Sequence, residues 1–310
     1  MKNRTVRLLF SVLLVLSLLI GCDMPGMDQR SDVSPEKSSD KQTKYEIPEY
    51  RDVFFSEDRA EGNDEILMDL SYVNDGYVSV YTNTDVKMKF QVIKGDMTYT
   101  YNLRNGEVDF FPLQSGDGSY RFRAMKHIEG NKYYELYGCE AEVTLNTEFE
   151  PFLRANQYAP YTLESDCVNI ARELAEESTD ENDFISKVYD YVCKTVKYDD
   201  YKAETVESGY LPDPDETLET GKGICFDYAS LTASMLRSQG IPTKIIFGYV
   251  APDDLYHAWN MFYTEKDGWV SVKFKVDPKK WNRVDLTFIA NGASSKFVGD
   301  GSNYAEVYQF

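Results

Sequence analysis

The chain has 310 residues, 42% of them apolar and 27% charged, a balance that can build real cores and excludes disorder throughout. Lys and Arg total 33 against 52 Asp and Glu, a net charge of −19, which argues against nucleic acid as a partner because phosphate binding needs a basic face. The two histidines, His127 and His257, cannot build a multi-histidine metal site, and no calcium-loop pattern occurs, so no metal or other cofactor is expected.

Residues 1–22 read as a targeting segment rather than as fold. Lys2, Arg4 and Arg7 precede an uncharged run over 8–20, too short for a spanning helix of about 20 residues. The run ends in Leu19-Ile20-Gly21-Cys22, which resembles the lipobox of bacterial lipoproteins. That resemblance implies lipid on the Cys22 thiol, cleavage before it, and an extracytoplasmic chain held to the membrane by its anchor. Removal of residues 1–21 takes three positive charges, leaving 30 basic against 52 acidic residues, or −22. Such a surface is repelled by anionic lipid heads, so the anchor must hold it there. Residues 23–49 are expected to form a flexible tether, being rich in Ser, Asp, Lys, Gln and Pro at their start.

Residues 50–148 show period two. Ile66, Met68, Leu70 and Tyr72 alternate with polar neighbours, as do Val86, Met88, Phe90 and Val92, then Tyr120, Phe122 and Ala124, then Ala141, Val143 and Leu145. Turn signals such as Asn74-Asp75-Gly76 and Asn105-Gly106 separate them. The pattern predicts an antiparallel β-sandwich of immunoglobulin-like type with no chemistry of its own, and His127 reads as structural.

A second domain over 149–310 opens with helical spacing. Cys167, Ile170, Ala171, Leu174 and Ala175 form one face, and Phe184, Val188, Tyr191 and Val192 another, with Asp166 and Asn182 as expected N-caps. A loop is expected from about Tyr198 to Lys222. Gly221-Lys222-Gly223-Ile224-Cys225 then leads into a helix with Tyr228, Ala229, Thr232, Met235 and Leu236 on its inner face, stopped by Gly240 and Pro242. Cys225 thus sits in the first turn, where the helix dipole and unpaired N–H groups favour a thiolate and are expected to lower its pKa. Cys139, Cys167 and Cys193 are expected to be packed thiols.

A thiol nucleophile needs a base, and imidazole serves near neutral pH. His257, on an expected strand with Trp259 and Asn260, is the candidate. Two aspartates compete to orient it. Asp277 falls at a turn before Pro278, whereas Asp285 lies inside an expected strand; a rigid element favours Asp285. Asn260 is weaker, being three residues from His257 on the same strand and so on the opposite face.

Together, Gly221-Lys222-Gly223-Ile224-Cys225-Phe226-Asp227-Tyr228-Ala229, Gly240-Ile241-Pro242, His257-Ala258-Trp259-Asn260 and Val284-Asp285-Leu286-Thr287 resemble the transglutaminase-like core over about residues 160–290. The resemblance implies a papain-like α+β fold with a Cys225-His257-Asp285 triad, and thioester chemistry on a peptide or protein substrate at the cell surface. In that family the Asp usually precedes Pro-Thr, a dipeptide that Asp277-Pro278 copies in part. The Cys225 N–H would be one oxyanion donor, and Tyr198 or Tyr210 could give a second. Trp259 reads equally as a shield for the thioester or as a core residue. A monomer is expected. The competing reading is a non-catalytic surface lipoprotein whose papain-like domain is an inactive scaffold.

Overall fold

The computed structural model describes residues 44–250, 255–272 and 304–310. Cys22, Asp277 and Asp285 fall outside the described residues. So do the expected leader and all but the last few residues of the expected tether.

The period-two stretch forms β1 (Glu61–Asn63), β2 (Ile66–Asp69), β3 (Tyr77–Thr82), β4 (Met88–Lys94), β5 (Met97–Asn102), β6 (Val108–Pro112), β7 (Gly118–Glu129) and β8 (Lys132–Val143). These make two antiparallel sheets, ordered β1-β2-β3-β6 and β5-β4-β7-β8. The chain changes sheet after β3, β5 and β6, a Greek-key course of the immunoglobulin kind. Met68, Val80 and Phe111 of one sheet meet Phe90, Tyr101 and Phe122 of the other in a shared core. The Phe111 ring lies 4.7 Å from Phe90 and 4.6 Å from Tyr101, centroid to centroid. β3 is buried at successive positions because it is covered on both faces. Phe54, in the segment before β1, donates its N–H to the Tyr77 hydroxyl and accepts from Ser79.

The second half forms α1 (Asp166–Glu176), α2 (Glu181–Thr195), β9 (Lys197–Tyr198), α3 (Asp200–Thr205), α4 (Pro214–Thr220), β10 (Lys222–Gly223), α5 (Cys225–Ser238), β11 (Thr243–Val250), β12 (Leu255–Thr264), β13 (Gly268–Val272) and β14 (Tyr304–Gln309). The N-caps are Ser165 and Asp180, not Asp166 and Asn182. Asp180 wins because its carboxylate reaches the Asp183 N–H at 2.9 Å. The expected long loop holds two short helices, α3 and α4, each started by an aspartate cap at Asp199 and Asp213. The last four strands form one antiparallel sheet ordered β13-β12-β11-β14. α5 lies on that sheet, and α1 and α2 pack on α5 through Val168, Val188, Tyr228 and Leu231, with Phe262 of β12 closing the cluster.

Two expectations of organisation change. Residues 45–49 are not tether: Tyr45 pairs its N–H with Ser178, gives its hydroxyl to Gln239 and stacks on Phe184 at 5.3 Å. Nor do sandwich and core separate among the described residues, which fall in one compact unit. Phe310 seals the junction, its ring within 6 Å of Tyr99, Tyr101, Tyr158 and Phe247. Beneath it the buried Arg237 donates to the carbonyls of Thr243, Arg154 and Phe310, tying three segments with one cation. Desolvation holds that guanidinium down to about 10.

A sandwich substitution should therefore be felt in the other half. Phe111→Ala is expected to cost about 3–5 kcal/mol. All three tryptophans lie after residue 258. The urea midpoint read by tryptophan fluorescence should fall together with that read by circular dichroism. An unchanged fluorescence midpoint would mean that the two halves unfold independently.

Candidate active site

Cys225 occupies the first position of α5, with Ile224 as N-cap. Isoleucine has no side-chain acceptor, so the cap is supplied from within the helix. Asp227 turns back and its Oδ2 accepts from the Ile224 N–H at 2.7 Å. The Asp227 carboxylate is wholly buried and pairs with Lys202 Nζ at 2.9 Å. The Tyr210 hydroxyl donates to Asp227 Oδ1 at 2.5 Å and accepts from Lys202 at 2.7 Å. Gly223 is required by this clamp, because a Cβ there would stand 2.6 Å from Asp227 Cβ. Just before it, Gly221 ends α4 at φ +60, the left-handed region glycine favours.

The strand side of the site is β12. Its side chains alternate: Ala258 packs with Ala229 and Ala233 of α5, and Asn260 donates to the Ala229 carbonyl at 2.9 Å. His257 and Trp259 therefore share the other face, their rings stacked 6.5 Å apart at 20°. Both are buried. The thiol meets β12 at its backbone, where the N–H of Ala258 turns toward the sulfur. The structure thus brings Cys225 to within one residue of His257 along the strand.

The electrostatics at the sulfur differ from the expected lowering. Burial pushes the Cys225 thiol up, and the N–H groups of Ala258 and Phe226 oppose this without overcoming it; the Asp227 carboxylate adds to the rise. The helix-terminus argument weighs the dipole correctly but omits desolvation, which depends on what folds over the site.

Of the other candidate residues, Tyr198 lies beside the sulfur. It sits on β9, paired in parallel with β10 so that it stands level with Gly223. Burial first, and then the Cys225 thiolate charge, push its phenol up to about 12, so it keeps its proton as a donor. The Tyr210 hydroxyl is held by Asp227 instead. Trp259 is a fully buried side chain on the His257 face. Asn260 is engaged with the Ala229 and Lys244 carbonyls. His127 lies at the β7–β8 hairpin and bonds the Gly130 carbonyl. Cys139 and Cys167 are free thiols, and Cys193 packs against the helical core. Among the described residues no cluster of His, Cys, Asp and Glu could hold a metal ion.

What the residue pattern did not reveal is the Lys202-Tyr210-Asp227 clamp. Its one sequence signal is the acidic residue two places after Cys225, a capping residue in a helix whose N-cap cannot cap. Asp227→Ala should destabilise the fold by about 1–3 kcal/mol, because it strands the Ile224 N–H and the Lys202 ammonium. Tyr210→Phe should cost less, and urea denaturation of both variants checks the order.

Comparisons with known proteins follow the same residues. The family model of the transglutaminase-like superfamily matches residues 168–274. Over 104 residues the chain is 32% identical to a UPF0252 protein of Methanocaldococcus jannaschii, covering 32% of this chain and 29% of that one. Over 106 residues it is 28% identical to a protein-glutamine gamma-glutamyltransferase of Pseudomonas aeruginosa, covering 30% and 15%. The chain therefore spans less than a third of the length of these curated relatives. Among solved structures it is similar to a candidate cysteine protease of Cytophaga hutchinsonii, with a TM-score of 0.36 and 15% identity over 76% of this chain and 91% of that one. The red sea bream transglutaminase gives a TM-score of 0.30 and 11% identity over 63% and 47%. At those scores the structural likeness carries no weight beside the family match.

Proposed function

We propose that the protein, whose residues 168–274 match the family model of the transglutaminase-like superfamily, is a thiol acyl-transfer enzyme acting on peptide or protein carboxamides outside the cell. The observation that carries the reading is the placement of Cys225: first residue of a rigidly capped helix, its sulfur against the backbone that follows His257.

The reaction follows from those groups. The Cys225 thiol passes its proton to the His257 imidazole as the sulfur forms a bond to the carboxamide carbon. The Cys225 N–H, with the Tyr198 phenol as second donor, faces the negative oxygen that develops. The carbon–nitrogen bond then breaks, and the leaving amine or ammonia takes the proton from His257. The thioester left on Cys225 is resolved by water or by a second amine. That nucleophile gives its proton to His257, which returns it to the departing sulfur. Asp285, or failing it Asp277, would orient the imidazole. Because burial raises the thiol, it rests protonated unless His257 shares its proton. This sets a general-base route apart from a standing thiolate–imidazolium pair.

The raised thiol also favours one competing reading, an inactive scaffold. The pH dependence of Cys225 alkylation by iodoacetamide separates the two. In His257→Ala burial is unopposed, so the inflection should lie above that of free cysteine, about 8.5. In the wild-type chain it should lie lower. Identical profiles would mean that His257 does not couple to Cys225, and the scaffold would stand.

For activity, Cys225→Ala and His257→Ala should each abolish turnover, and Asp285→Ala should weaken it more than Asp277→Ala. Intact mass after incubation with a glutamine peptide and a labelled amine distinguishes hydrolysis from cross-linking. If Cys22 carries the anchor, Cys22→Ser should move the protein from the membrane fraction to the soluble one, and retention in the membrane would remove the anchor from the reading.

A further inference from the structure

A cleft of about 300 Å³ lies between the sandwich and the transglutaminase-like domain. One wall is β5, through Thr98, Tyr99, Thr100 and Asn102; the opposite wall includes Phe226 and Tyr256, and Tyr308 of β14 closes the row. Three features decide what it can take.

The first is position. Phe226 follows Cys225 and Tyr256 precedes His257, so the wall opposite β5 carries a direct chain neighbour of each proposed reacting residue. Phe247 bridges them, with ring centroids 4.8 Å from Phe226 and 6.1 Å from Tyr256.

The second is the edge. On β5, Tyr99 and Tyr101 point into the core while Thr98, Thr100 and Asn102 point out. A cleft touching residues of both sets must run along the strand's side. That side faces it, since β5 is the outermost strand of its sheet, with only the Asn102 end met by Gln157, whose Nε2 donates to the Asn102 carbonyl. The stretch from Thr98 to Asn102 is roughly 13 Å long, room for about four extended residues.

The third is charge. None of the side chains lining the cleft is ionisable near neutral pH, in a chain of which 27% is charged. A charged occupant would lose its water there and find no partner. An uncharged one finds aromatic faces and threonine hydroxyls.

We propose that this cleft is the specificity subsite for an extended polypeptide segment that flanks the reacting carboxamide. The segment adds as a strand to the edge of β5 and places an uncharged aromatic or aliphatic side chain between Phe226, Tyr256 and Tyr308. This deepens the reading of the Cys225 site and rests on it for the identity of the acyl group.

The test uses the full chain carrying Cys225→Ala, so that peptides bind without turnover. Blocked peptides with a central glutamine are titrated by calorimetry, one set flanked by Phe and Leu and a matched set flanked by Glu. The apolar set should bind at least tenfold more tightly. N-methylation of its backbone should remove most of that advantage, since strand addition needs the peptide N–H groups. Thr100→Lys and Tyr308→Ala, each first shown to unfold at the parent's urea midpoint, should both narrow the preference. Equal affinity for the two peptide sets overturns the proposal, as does a preference that survives both substitutions. So does a concentration-dependent dimer that Thr100→Lys breaks and peptides do not compete, which would assign the cleft to a second copy of the chain. The reaction is judged separately, on acylation of Cys225 in the wild-type chain. Failure there with the peptide preference intact counts against the chemistry and leaves the cleft; successful acylation without flank preference does the reverse.

Discussion

Helix α5 is buried at every position from Asp227 to Ser238, and a helix enclosed in this way has no freedom to choose where its first residue points. Ala229 and Ala233 let it approach β12 closely at Ala258, while Tyr228, Leu231 and Met235 fill the space toward α1 and α2. At its start the backbone N–H of the N-cap Ile224 is met by Asp227, whose own charge is answered by Lys202 and Tyr210. Cys225 is the residue on which these restraints converge. The Cys225 side chain is itself half-buried, and the desolvation it meets there raises its pKa.

That coupling has a chemical consequence. A sulfur placed by packing alone would be well oriented and inert, because the environment that holds it disfavours the thiolate. In the proposed reaction an imidazole one residue along the adjoining strand would supply what burial withholds: an acceptor for the proton at the moment of attack. In the proposed reading the thiol rests neutral, the form that oxidants attack least.

The sandwich meets the core from outside the family-matched segment. Its edge strand β5 and the aromatic ring of Phe310 meet the core beside Phe226 and Phe247, and Arg237 binds carbonyls from the segment between the two halves and from the end of β14. The junction is therefore a wall of the cleft as well as a contact between halves.

Features carried by neighbouring residues were readable from the sequence. Period two announces the sandwich, three-and-four spacing announces α1, α2 and α5, and glycine followed by Ile224 and Cys225 places the thiol at a helix start. The motifs in combination also marked His257. Features made by residues distant in sequence were left to the folded chain. The partners of Asp227 come from 17 and 25 positions upstream, and no local pattern pairs them with it. Residues 45–49 read as tether because they continue the polar segment before them, yet Tyr45 docks on Phe184. The sign of the Cys225 shift followed the same division. The helix dipole is a local property legible in the residue order, whereas desolvation is set by every segment that closes over the sulfur, and only the tertiary structure assembles those.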